Sequence, residues 1–165
     1  MAIESGLAGV AGEHFVAAEL ARRGFLVTLT RGNAPGVDIL AYWPPTQRTV
    51  ACQVKASDGR RKKTGGWILT PKDEDAKLIR SNFFVFVHMP GDLGAPQYSV
   101  VPSATVAAII RADFEAWVSS PGKNGRKRSP KNGIRHFADK EGKWAGCWNL
   151  IEEFAKKQGP SAAAV

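Results

Sequence analysis

The spacing of apolar and polar residues predicts helices at both ends of the chain and strands between them. Ser5 and Ser103 can each cap a helix, Pro71 can begin a short one, and Gly24 can end the first. The last helix follows from the pattern WAGCWNLIEEFAKK. Helices are therefore predicted over residues 5–23, 71–78, 103–118 and 144–157.

Short apolar runs bounded by Gly, Pro or polar clusters predict the strands. These runs cover residues 25–30, 37–42, 49–57, 83–89 and 97–101. Only a few residues join the second run to the third, which predicts an antiparallel hairpin. The run FFVFVHM is the most continuous apolar stretch and predicts a central strand. The order of elements predicts an α/β sandwich with a mixed sheet.

The length fits one domain, which we place at residues 1–158. Within it, the segment SSPGKNGRKRSPKNGIR carries six Lys or Arg and little that can be buried, so a mobile basic loop is expected over residues 119–135. Residues 159–165 form an Ala- and Pro-containing run that predicts a flexible tail.

The composition favours a polyanionic partner in a reducing compartment. The formal net charge is +8, so nucleic acid is the first expectation and an anionic membrane surface the second. No apolar run approaches the roughly 20 residues needed to span a bilayer, and no signal-peptide pattern begins the sequence. Cys52 and Cys147 lack metal-ligand spacing and are expected to be free thiols. We expect a cytoplasmic protein.

Four polar side chains interrupt patterns that otherwise predict burial. Glu13 falls within an apolar helical stripe, and Asp38 begins a strand after Pro-Gly. Gln53 and Lys55 share one face of the third strand, roughly 6–7 Å apart. The apolar residues around Glu13 are Val10, Val16, Ala17 and Leu20; those on the opposite strand face are Cys52, Val54 and Ala56.

Each of these side chains also has an ordinary structural interpretation. A helix Glu can be solvated, an Asp after Pro-Gly can stabilise a turn, a strand amide can be satisfied within the sheet, and a Lys can extend to water. Together, however, they supply carboxylate and amide oxygens beside an ammonium group. Mg²⁺ binds such oxygens, and a neighbouring lysine can hold or deprotonate a water. The combination therefore favours hydrolysis of a phosphodiester.

Three stretches resemble the PD-(D/E)XK nuclease superfamily, especially its small bacterial endonuclease-like and Holliday-junction-resolvase-like members. They are GEHFVAAELARRGF for the first helix, APGVDIL for the acidic strand and CQVKAS for the (D/E/Q)-x-K strand. The resemblance covers residues 9–57. It implies an α/β, restriction-endonuclease-like core with a central mixed sheet of four to five strands flanked by helices, and a site that depends on Mg²⁺ or Mn²⁺.

The resemblance also implies a role for each residue of the motif. Asp38 is the main metal ligand, Gln53 offers its side-chain oxygen, and the backbone carbonyl of Val54 completes the set. Lys55 orients or activates the attacking water. Glu13 supports the site directly or through a metal-bound water. Because Gln53 stands where an acidic ligand is usual, weaker metal affinity is expected.

Two basic segments are expected to contact the DNA backbone without reading its sequence. Solvated loops are the alternative for both, and phosphate contact is favoured more strongly for the first because it follows the Lys55 strand directly. The first segment comprises Arg60, Arg61, Lys62 and Lys63; the second comprises Lys123, Arg126, Lys127 and Arg128, with Lys131 and Arg135 beyond.

We interpret the chain as a metal-dependent DNA endonuclease of repair, recombination or defence, and as a homodimer by resemblance. Two alternatives remain open. The first is a nuclease-fold module that has lost catalysis and binds only DNA or a protein, an interpretation that Gln53 favours. The second is an enzyme acting on RNA, since net charge does not distinguish the two polymers.

Overall fold

A five-stranded mixed sheet forms the centre of the protein in the computed structural model, which describes residues 4–31, 35–60, 66–75 and 80–157. The elements follow in chain order: helix α1 (Ser5–Ala21), strands β1 (Leu26–Leu29), β2 (Ile39–Trp43), β3 (Arg48–Asp58) and β4 (Trp67–Leu69), a 3₁₀ turn (Pro71–Glu74), strands β5 (Phe83–Met89) and β6 (Gln97–Pro102), helix α2 (Ser103–Ser119), a second 3₁₀ turn (Lys123–Gly125), strand β7 (Arg135–Phe137) and helix α3 (Asn149–Lys156).

The sheet has the strand order β1-β2-β3-β5-β6, and β4 pairs with β7 in a separate two-stranded sheet. Only β3 and β5 are parallel; the other neighbours are antiparallel. The parallel pair requires a long crossover, and the segment between β3 and β5 contains β4 and the first 3₁₀ turn. The predicted α/β fold with a mixed sheet and a β2–β3 hairpin is confirmed.

Both faces of the central sheet are covered by apolar side chains. On one face, Val85 and Val87 of β5 pack with α1 and α3. On the other face, Phe84 and Phe86 pack with α2 and with Phe137 of β7. Successive side chains of a strand point to opposite faces, so burial on both sides makes FFVFVHM continuously apolar.

Helix α1 approaches the sheet closely at Gly12. The buried positions of α1 are Ala8, Gly12, Val16 and Leu20. A Cβ on Gly12 would lie 2.5 Å from the Cβ of Ala56 on β3. Glu13 therefore lies beside the buried line rather than within it, and Val10, predicted to share its apolar stripe, is 52% exposed.

Both predicted serine caps are wrong. Glu4 and Pro102 occupy the N-cap positions of α1 and α2, and neither makes a side-chain capping hydrogen bond. Ser103 is instead the first residue of α2, where its buried hydroxyl lies 3.1 Å from that of Ser81. The Ser103 hydroxyl is thus used for a buried contact with Ser81 rather than for a cap.

The helix predicted from Pro71 is shorter in the structure. The segment forms a 3₁₀ turn that ends at Glu74, and Asp75 is extended. Thr70 and Asp73 form a capping box at its start. Residues 76–79, and the predicted tail at 159–165, lie outside the described residues.

The prediction that residues 119–135 contain little that can be buried is wrong at the end of the segment. Arg135 belongs to β7 and is only 5% exposed. Its guanidinium donates to both carboxylate oxygens of Glu74, at 2.7 and 3.0 Å, and its Cζ lies 3.3 Å from the centroid of the Phe114 ring. A planar, bidentate ion pair and an aromatic face compensate for burial of the charge.

Within the described ranges, no helix combines the length and apolar character required to cross a membrane.

Alanine at Gly12 and at Gly9 should have opposite effects on stability. Gly9→Ala should stabilise by about 0.5–1 kcal/mol, because no heavy atom lies within 4 Å of its Cβ position and alanine favours the helix. Gly12→Ala should destabilise by about 1–3 kcal/mol, since its Cβ would overlap Ala56. Urea unfolding of both variants measures the difference. Equal stabilisation of the two would contradict the close approach of α1 to β3.

Candidate active site

Asp38 is anchored at the point where β2 begins to pair with β3. Its backbone N–H donates to the carbonyl of Cys52 at 2.9 Å, and its carbonyl accepts from the N–H of Thr30 at 2.9 Å. Its side-chain Oδ2 accepts a hydrogen bond from the backbone N–H of Val54 at 2.7 Å. Just before the first residue of β2, the Asp38 carboxylate thus takes the place of a main-chain acceptor. Its hydrogen bond to β3 fixes its position.

Gln53 and Lys55 lie on the same face of β3, on either side of Val54. The register that pairs Ile39 with Cys52 places Asp38 opposite Gln53. Both Gln53 and Lys55 are half-buried and line a cleft of about 440 Å³, which we call the sheet cleft. The predicted separation of faces is confirmed, because Cys52 and Val54 belong to the apolar core on the other side.

Glu13 on α1 is close enough to the Asp38 carboxylate for the two negative charges to repel each other. Partial burial raises the pKa of Glu13, the negative charge of Asp38 raises it further, and His14 partly opposes the effect. Two carboxylates from different elements therefore share one region near the end of the β2–β3 pairing. A bound cation would relieve the repulsion between them.

The thiol of Cys52 is part of the core below this site. Burial, with a smaller contribution from Asp38, raises the pKa of Cys52 to about 12. The thiol is therefore protonated at neutral pH and is a poor nucleophile and metal ligand. Cys52 and Cys147 are both free, as predicted.

The groups available to a metal ion are oxygen donors. They are the carboxylates of Asp38 and Glu13, the Gln53 amide and the Val54 carbonyl. In a strand, the N–H and C=O of one residue face the same neighbour, so the Val54 carbonyl points to the side on which its N–H meets Asp38. Among the described residues, no three His, Cys, Asp or Glu side chains form a metal-binding group. This donor set fits a hard cation such as Mg²⁺ that keeps several of its waters.

The first basic segment is only partly within the described residues. Nε of Arg60 donates to Oδ1 of Asp58 at 2.8 Å, and the Asp58 side chain is 1% exposed. Arg60 is therefore engaged with a buried carboxylate at the end of β3. Arg61, Lys62 and Lys63 lie outside the described residues.

The second basic segment lies beyond the end of α2. Lys123, Arg126 and Lys127 are exposed. Arg128 is half-buried, with its Cζ 4.8 Å from the centroid of the Trp117 ring and Nη1 3.1 Å from the Trp117 carbonyl. None of these four residues lines the sheet cleft.

The structure adds cleft residues that the sequence analysis did not identify. Lys72 and Asp73 of the first 3₁₀ turn, together with Thr70 and Arg80, line the same space as Gln53 and Lys55. The pattern TPKDE predicts a capped turn, and that turn is present. Its place beside Lys55 depends on the path of the β3–β5 crossover, for which the sequence holds no local signal.

No protein-family model matches the chain. No curated protein matches it. Among solved structures, the chain is similar to a bacterial homing endonuclease, I-Ssp6803I, with a TM-score of 0.52 and 14% sequence identity. The alignment covers 92% of this chain and 94% of that chain. At this identity the likeness concerns the fold alone, and it shows that the chain has an endonuclease-like fold over nearly its whole length.

Removing the charge of Glu13 should stabilise the metal-free protein more at pH 7 than at pH 4. The folded-state pKa of Glu13 lies above its ordinary value, so ionisation costs stability. This cost is absent below the ordinary pKa and complete above the raised one. Glu13→Gln should therefore gain stability relative to the wild type as pH rises. Thermal unfolding in EDTA at both pH values measures this, with Glu115→Gln on α2 as the control. If the melting temperatures of Glu13→Gln and the wild type differ by the same amount at both pH values, then burial and Asp38 do not raise the pKa of Glu13.

Proposed function

We propose that this protein is a metal-dependent endonuclease that hydrolyses phosphodiester bonds in DNA, as a member of the PD-(D/E)XK superfamily. One observation carries the proposal: the Asp38 carboxylate is hydrogen-bonded to the main chain of Val54, directly between Gln53 and Lys55. A carboxylate, an amide oxygen and an ammonium group are thereby held by two paired strands. The endonuclease-like fold supports the same conclusion.

Asp38, Gln53 and the Val54 carbonyl would hold Mg²⁺ or Mn²⁺, with Glu13 acting directly or through a water. When bound, the metal supplies Lewis-acid polarisation of the scissile phosphate. Lys55 would orient or activate the attacking water and stabilise the charge that develops on the phosphate oxygens. The half-burial of Lys55 in the cleft strengthens its electrostatic effect.

Positive charge at the sheet cleft supports a polyanionic substrate. Among the described residues that line the cleft, Lys55, Lys72 and Arg80 are cations and Asp73 is the one carboxylate. The net charge of +8 would favour association with a nucleic acid and make it dependent on salt. We extend the proposal to a homodimer, because two copies allow cleavage of both strands of a duplex.

The second candidate function is a nuclease-fold module that binds DNA or a protein without cleaving. Gln53 favours this alternative, because a neutral amide removes one negative charge from the metal-binding set. The presence of both Asp38 and Lys55 favours catalysis. Cleavage of paired DNA and RNA substrates would separate the DNA enzyme from an RNA-directed one.

Cleavage of nicked, flapped, linear and four-way DNA tests the proposal. The wild type should cut at least one substrate with Mg²⁺ or Mn²⁺ and none in EDTA. Lys55→Ala and Asp38→Asn should each reduce the rate by at least about 100-fold, because the first removes a positive charge that stabilises the transition state and the second removes the main anionic ligand of the metal. Lys156→Ala is the matched control, since Lys156 is exposed on α3, which packs against the other face of the sheet.

Melting temperatures of the variants establish that they are folded. Wild-type rates for Lys55→Ala would refute the assignment of the site. Salt-dependent DNA binding without cutting in any metal would support the non-catalytic module.

Restoring an acidic residue at position 53 should strengthen metal binding. Gln53→Glu adds a carboxylate to the donor set, so the Mg²⁺ concentration for half-maximal cleavage should fall several-fold. If the wild type is inactive, a gain of cleavage in this variant would identify Gln53 as the cause. An unchanged Mg²⁺ midpoint would show that residue 53 does not contact the metal. Gln53→Asn, which stays neutral, is the control.

A further inference from the structure

Two cations outside the nuclease motif line the sheet cleft. Lys72 belongs to the first 3₁₀ turn, and Arg80 lies three residues before β5. Both are exposed at the cleft and share its lining with Gln53 and Lys55. They come from the crossover between the parallel strands, whereas the motif residues come from the β2–β3 hairpin.

Arg80 lies against the turn that leads into Asp38. A Cβ built on Gly36 would be 3.9 Å from the Cβ of Arg80 and 4.0 Å from Oε1 of Gln53. Arg80 and the Gln53 amide therefore both lie next to Gly36. A phosphate group next to the Gln53 amide is within the region that the long Arg80 side chain can reach.

Lys72 belongs to a 3₁₀ turn that is stabilised by hydrogen bonds from several side chains. The N–H and hydroxyl of Thr70 both donate to Oδ2 of Asp73 at 2.8 Å. Glu74 accepts two hydrogen bonds from the buried Arg135, and its carbonyl accepts one from Nη2 of Arg111 at 2.6 Å. The turn is thereby fastened to α2 and β7, which keeps Lys72 at the edge of the cleft.

The charge of these cations is not neutralised within the described part of the chain. No ion pair between described residues involves Lys55, Lys72 or Arg80. The Asp73 carboxylate, which shares the cleft, accepts its hydrogen bonds from Thr70. Among the described residues that line this cleft, three are cations and one is an engaged carboxylate, while the Asp38 carboxylate beside Gln53 would be balanced by the metal that it is proposed to hold. Such a site attracts an anion that has more than one negative group.

We propose that Lys72 and Arg80 form a subsite for the phosphates next to the scissile one. The inference rests on the proposed function and specifies its substrate: an internal phosphodiester of a polynucleotide, bound through neighbouring phosphates. A small diester with a single phosphate would engage Lys55 and the metal held by Asp38 and its neighbours but would leave this subsite empty. The flanking contacts thus add binding energy that only a polymer can use.

The experiment compares a DNA duplex that the wild type cleaves with bis(p-nitrophenyl) phosphate, a diester with no flanking phosphate. The ratio of kcat/KM for the duplex to kcat/KM for the small diester is the readout. This ratio should fall about tenfold in Lys72→Ala and in Arg80→Ala, as expected for loss of a charge-assisted contact. Lys55→Ala should reduce cleavage of both substrates. Lys156→Ala is the control for removal of a lysine elsewhere.

A wild-type ratio in both Lys72→Ala and Arg80→Ala would overturn the subsite while leaving the proposed function intact. If the wild type cleaves neither substrate, the proposed function fails and binding of a labelled duplex in EDTA decides the inference. Weaker binding by Lys72→Ala and Arg80→Ala than by Lys156→Ala, with a shallower dependence on salt, would support the subsite. Equal binding by all three variants would overturn it.

Discussion

The hydrogen bond from the Val54 N–H to the Asp38 carboxylate determines the geometry of the whole candidate site. It ends the β2–β3 ladder with a side chain in place of a backbone carbonyl. Consequently Asp38 is fixed beside the strand that carries Gln53 and Lys55. A site held by paired strands varies little in distance, which favours chemistry that requires a defined arrangement of charges.

This arrangement places negative charge where the protein interior disfavours it. Glu13 is brought to the same region because α1 contacts β3 at Gly12, without a side chain between helix and strand. The raised pKa of Glu13 shows that burial and the nearby Asp38 make its ionised form costly. Such a cost is expected where two carboxylates lie close together in a partly buried region, and the divalent cation that we propose would reduce it.

Local patterns were sufficient to predict the five strands of the central sheet and the polar residues on β3. Alternation along β3 assigned Cys52 and Val54 to the core and Gln53 and Lys55 to the opposite face, because side-chain direction follows from strand geometry. The edge of the cleft that carries Lys72 was not predictable in this way. Its position depends on a crossover and on the two-stranded β4–β7 sheet, whose strands have only three residues each and lie far apart in sequence. Short strands carry too few residues for a periodic signal.

Buried Arg135 links β7 to the first 3₁₀ turn through its ion pair with Glu74. Sequence composition groups this arginine with the exposed cations before it, yet its guanidinium lies between Glu74 and the ring of Phe114. The pair connects β7 to the turn that carries Lys72, so a residue remote from Gln53 and Lys55 helps to position one edge of the cleft that they line. The basic residues around the cleft therefore have two different roles. Arg135 is neutralised by Glu74 beside the cleft, whereas Lys55, Lys72 and Arg80, which form no ion pair with another described residue, line the space that would bind an anion.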